Sequence, residues 1–128
     1  MPREPVEKEI VRIFVIEARQ LVERLGGEVR ALGGAGQTGS GVSMVDRVFL
    51  AFHTIAGTAE VLELPGAARE ARGGEDVMWR IRRGECLMSV GVVEDLLERV
   101  GRLHAELLRL TEYADGSSTE EGGGTWNE

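Results

Sequence analysis

At 128 residues with 42% apolar side chains, the chain has material for one modest hydrophobic core, alone or with a tail. All 15 basic residues and 17 of the 22 acids fall within residues 1–111, a balance of −2, so there is no concentrated basic stripe of the kind that grips a nucleic-acid backbone. The single cysteine, Cys86, excludes an intramolecular disulfide, no apolar run nears the ~18 residues of a membrane span, and MPREPVEKEI lacks a signal peptide's apolar stretch; a reduced, cytoplasmic protein is expected.

Apolar residues recur every three to four positions and never alternate over a strand's length, which predicts an all-α protein. The first helix is expected from about Glu4 to Leu32. Ile10, Phe14, Leu21, Leu25 and Leu32 form its inward stripe, with Ala18 and Val29 close by. Gly26-Gly27 weakens it by about 1–2 kcal/mol relative to alanine and is expected to bend or end it. GGAGQTGSG, residues 33–41, reads as a flexible linker. It lacks the Gly-Lys-Ser/Thr ending and preceding strand of a phosphate-cradling loop.

Ser43 is the expected N-cap of a second helix reaching about Leu62, with Val45, Val48, Phe49, Phe52, Ile55, Ala56, Ala59 and Leu62 on one apolar face. Pro65 suits the first turn of a third helix. That helix turns Ala68, Ala71, Met78 and Ile81 inward and stops near Arg83-Gly84. A fourth is expected from a cap at Ser89 to about Thr111 through Val93, Leu96, Leu97, Val100, Leu103, Leu107 and Leu110. The expected architecture is an antiparallel, up-down-up-down four-helix bundle over residues 1–113. Residues 114–128, ADGSSTEEGGGTWNE, have the composition of a disordered acidic tail or linker.

Two histidines occur, His53 and His104, and with one cysteine they make no zinc-ligand set. No serine sits in a nucleophile-elbow motif. His104, beside Leu103 and Leu107, reads as a border residue of the fourth helix. At ~100° per residue, His53 lies about 110° from the centre of the second helix's apolar arc, on the border of core and solvent. Gly57 lies one turn further along the same flank. An imidazole with a pKa near ~6.5 is largely neutral at cellular pH and is a competent nucleophile. A glycine beside it would let another protein close over the ring. On geometry alone, a border histidine is more often a structural residue.

The residues around His53 alter that balance. Phe52-His53-Thr54-Ile55-Ala56-Gly57-Thr58-Ala59 resembles the A-H-T-[IL]-K-G-[SG]-A core of histidine-phosphotransfer domains, most nearly the N-terminal phosphotransfer domain of the chemotaxis kinase CheA. The likeness runs ungapped to Arg82-Arg83-Gly84-Glu85, the family's R-x-G-E, and includes FVIEARQLVERL in the first helix, covering roughly residues 8–110. It implies that His53 accepts a phosphoryl group, that Gly57 gives steric access and that Glu75 accepts from the ring's Nδ1–H. It further implies a phosphorelay carrier, not an enzyme by itself, with a CheA-type kinase domain and a response-regulator receiver as partners. ATP and Mg²⁺ would be bound by those partners and no cofactor by this chain, which would be a monomer and either a standalone protein or a fragment of a larger kinase. Two departures stand out. The family lysine is Ala56, and a second family histidine is Arg72, which is a candidate to supply the missing positive charge. Gly73-Gly74 is expected to loosen the third helix just before Glu75. Two alternatives stay open: a degenerate fold of this type that only docks proteins, favoured by Ala56, and a helical dimerisation module in which His53 has no role.

Overall fold

The structure, a computed structural model, describes residues 5–35 and 40–115, with side chains for 7–34 and 44–115. Among the described residues the chain forms four helices, α1 (Pro5–Ala35), α2 (Ser40–Val61), α3 (Pro65–Arg82) and α4 (Val90–Asp115), and no strands. Each packs on two neighbours, α1 on α2 and α4, α3 on α2 and α4, so the bundle is a closed square around one core. This is the all-α four-helix architecture expected from the apolar period.

The core is aliphatic, with Phe52 its largest fully buried side chain. On α1 the buried stripe is Val11, Phe14, Val15, Ala18, Val22, Leu25, Val29 and Leu32. Ile10, expected inside, is 45% exposed, and Leu21 is half-buried. The first helix carries apolar residues on more than one face, and packing against α4 and α2 selects the valine face. Gly26-Gly27 does not end α1, which runs on through the pair, with Leu25, Val29 and Leu32 buried on both sides of it. The helix takes in Gly33, Gly34 and Ala35 from the expected linker. A Cβ on Gly33 would lie 3.1 Å from Val93 Cγ2, so α1 and α4 approach closely there. Residues 36–39 of that linker lie outside the described residues.

Helix α2 begins at Ser40, so Ser43 lies within it instead of capping it. The turn to α3 is a Schellman motif: Leu64 N–H donates to Ala59 O (2.9 Å) and Glu63 N–H to Glu60 O (3.1 Å). Glu63 holds the left-handed position at φ 60°, and Leu64, the next residue, is buried. Pro65 opens α3 as expected. The same motif closes α3, with Gly84 N–H donating to Ile81 O (3.0 Å), Glu85 N–H to Arg80 O (2.9 Å), and Gly84 at φ 76°. Gly73-Gly74 does not interrupt α3, and Gly74 is buried. Ser89 caps α4 through Oγ, which accepts from Val92 N–H at 3.2 Å. Helix α4 continues past Thr111 to Asp115, burying Ala114. Arg12 ties this end to α1 through Asp115 Oδ1 (2.6 Å) and Ala114 O (3.1 Å). The rest of the expected tail, residues 116–128, lies outside the described residues.

Candidate functional site

The widest pairing in the bundle, α2 against α3, carries the polar cluster of interest. His53 projects from α2 with its side chain 54% exposed, and Glu75 from α3 is only 17% exposed. His53 Nδ1 and Glu75 Oε2 are 2.9 Å apart. An ionised carboxylate only accepts, so Nδ1 carries the proton and, in the neutral ring, Nε2 keeps its lone pair.

Arg72, three residues before Glu75 on α3, donates from Nη1 to Glu75 Oε1 and grips Glu60 of α2 with two further bonds, Nε to Oε2 and Nη2 to Oε1, each 2.7 Å. The result is one chain, Glu60–Arg72–Glu75–His53, crossing the α2–α3 seam twice. Partial burial raises the Glu75 pKa, but the hydrogen bonds from His53 and Arg72 outweigh it and hold that carboxyl below the usual range. The hydrogen bond from Arg72 likewise lowers Glu60, and the two carboxylates, Glu60 foremost, raise Arg72.

One turn before His53, Phe49 stacks on the imidazole, with centroids 5.9 Å apart and planes at 12°. Trp79 of α3 tilts against Phe49 at 5.8 Å, and the Arg82 guanidinium lies 4.9 Å over the Phe49 ring. A groove of about 530 Å³ runs between Phe49, Arg72, Glu75, Asp76 and Trp79. The imidazole is therefore held at Nδ1 by a carboxylate and on one face by an aromatic ring.

The structure thus brings His53, Glu75 and Arg72 together. Gly57 lies on the same flank, and a Cβ there would meet nothing within 4 Å, so the fold itself does not require a glycine at this point. Ala56 is fully buried and contributes no charge to the surface. Phe49, expected in the apolar face, is half-buried because its ring turns toward His53. Glu60 and Trp79 were not singled out from sequence. Phe49 and Glu60 stand four residues before and seven after His53, a helical spacing that shares its flank, but that spacing does not tell a site residue from a solvated one. His104 is half-buried on α4. No three His, Cys, Asp or Glu side chains among the described residues form a metal-ligand group, and none of the helices is long and apolar enough to cross a membrane.

Such a site can present one nucleophilic nitrogen of fixed tautomer to a second protein. In comparisons with known proteins, the family model described as Hpt domain matches residues 9–112. No curated protein and no solved structure matches the chain.

Proposed function

The chain belongs to the Hpt domain family, and from that premise we propose that His53 is its phosphoryl acceptor, taking the group from a CheA-type kinase domain and passing it to a response-regulator aspartate. Hpt domains serve histidine phosphotransfer in two-component signalling, as phosphocarriers rather than catalysts, between histidine kinases and response regulators. The CheA-like, chemotaxis-type assignment goes further. It is supported by the run Phe52–Ala59, His53 and Gly57 included, and by Arg82–Glu85.

The observation that carries the reading is the exposed imidazole tethered by Nδ1 to Glu75 at 2.9 Å. The Nε2 lone pair attacks the γ-phosphorus of ATP held with Mg²⁺ by the kinase, and the bond from phosphorus to the bridging oxygen breaks, releasing ADP. Glu75 stabilises the ring through Nδ1–H as the ring gains positive character. In the second step a receiver carboxylate attacks phosphorus, the N–P bond breaks, and its electron pair returns to Nε2. Gly57 leaves room for each partner to close over the ring. Arg72 supports the site electrostatically through Glu75. The isolated domain is proposed to be monomeric and cytoplasmic, with no cofactor of its own.

Incubating the protein with a CheA-type kinase core, Mg²⁺ and ATP should yield acid-labile label that His53→Gln abolishes and a receiver domain removes. Absence of label with several competent kinases would favour a docking module, the reading to which the uncharged, buried Ala56 lends support.

A further inference from the structure

We infer that Glu60 is a positioning residue for the acceptor histidine, acting through Arg72 and Glu75; the inference rests on the reading of His53 as acceptor. Glu75 has two oxygens and both are engaged, Oε2 by His53 Nδ1 and Oε1 by Arg72. A carboxylate at the end of a glutamate turns freely about its last torsion unless something holds it. Arg72 is what holds it, and Arg72 is itself a long side chain, 38% exposed, that must give up several rotatable bonds to stay in one pose.

Glu60 supplies the restraint. Its two oxygens meet Nε and Nη2 at 2.7 Å each, the bidentate geometry that fixes a guanidinium in plane as well as in place. With Nη1 on Glu75, all three guanidinium nitrogens are engaged. Glu60 is on α2, as His53 is, so α2 orients its own histidine by way of α3. An isolated exposed pair contributes little. This one is bidentate and ends on a largely covered carboxylate, so it acts by narrowing the pose of Glu75.

A second effect of Glu60 would run the other way. Its negative charge stands in the cluster that must receive an anionic phosphoryl group, and simple repulsion predicts that neutralising it accelerates phosphorylation. Positioning predicts that removing it slows phosphorylation. The sign of the change therefore separates the two.

The test uses the intact chain carrying Glu60→Ala, Glu60→Gln, Arg72→Ala and the Glu60→Ala/Arg72→Ala pair, each checked for unchanged helicity. Ring ¹⁵N shifts give the fraction of His53 protonated on Nδ1, and initial rates are measured with a CheA-type kinase core and ATP. Glu60→Ala should lower the Nδ1–H fraction and slow labelling about three- to tenfold, the scale of one lost hydrogen-bonded restraint. Glu60→Gln should restore part of both, and the double variant should be no slower than Arg72→Ala. An unchanged tautomer, faster labelling in Glu60→Ala, or effects that multiply in the double variant would overturn the inference. A wild-type protein that takes no label defeats the acceptor reading instead, and the tautomer series then decides the role of Glu60 by itself.

Discussion

The Phe52 ring lies against the bare α-carbon of Gly74, so close that a Cβ built there would sit 2.5 Å from Cζ and 2.7 Å from Cδ1. Phe52 is fully buried on α2 and adjoins His53; Gly74 is buried on α3 and adjoins Glu75. The contact that sets the spacing of the two helices is thus one residue away from the hydrogen bond that orients the imidazole.

Gly74→Ala should therefore destabilise the protein by about 1–3 kcal/mol, the range for overpacking a filled core, despite alanine's better helix propensity. It should also loosen the His53–Glu75 contact. Urea unfolding and the His53 ring ¹⁵N shifts measure the two effects. Retained stability would mean that the ring withdraws without loss.

The same substitution at Gly57 should have the opposite effect on stability. Nothing lies within 4 Å of a Cβ there, so Gly57→Ala gains about 1 kcal/mol of helix propensity without a clash. On the proposed reading of His53 as acceptor, larger side chains, in contrast, should hinder partners from closing over the ring. A higher Tm combined with slower phosphorylation in Gly57→Leu is the expected pair of results. Undiminished transfer in that variant would remove the steric reason for the glycine.

Glu63 occupies a left-handed position, φ 60°, that ordinarily takes glycine. Relief of that conformation, less glycine's greater chain entropy, should make Glu63→Gly more stable by about 0.5–1 kcal/mol. Gly84, at φ 76° in the equivalent place after α3, should lose about 1 kcal/mol on conversion to alanine. Chemical denaturation of the two variants checks both signs.

Acid should weaken the α2–α3 cluster. Glu75 and Glu60 are held below their ordinary pKa in the folded protein, so the unfolded chain binds more protons in the acid range. Their contribution is complete above the unfolded carboxyl value, near 4.5, and is lost as pH falls through the lower folded value. In thermal melts between pH 7 and pH 3, Glu75→Gln should show a shallower acid decline than the parent. Parallel curves would show that Glu75 does not contribute to it.

Removing the carboxylate altogether tests its role in the chemistry. A hydrogen bond to a charged group is worth about 1.5–3 kcal/mol, so, with His53 as the proposed acceptor, Glu75→Ala should slow its phosphorylation by about tenfold or more while leaving label on the same residue. Initial rates with a kinase core, followed by mapping of the label, provide the measurement. An unchanged rate would assign the carboxylate a structural part only.

The sequence by itself determined the four helices, their order and the placement of His53 on a border flank, because a 3.6-residue apolar period and the turn residues Pro65 and Gly84 act locally. It also picked out Glu75 and Arg72, but only through a resemblance, since nothing in their own helix marks them. Other features depended on neighbours far along the chain. Ile10 and Val11 are equally apolar, and only packing put Val11 inside. Gly26-Gly27 and Gly73-Gly74 look like breaks in a single helix, yet the burial of flanking leucines and the approach of Phe52 make them continuous turns. Glu60 resembles any surface acid until α3 brings Arg72 against it. Local propensity fixes which segments are helical; which face turns inward, and which charges meet, follow from the free energy of close packing and ion pairing between segments, and those exist only once the bundle has formed.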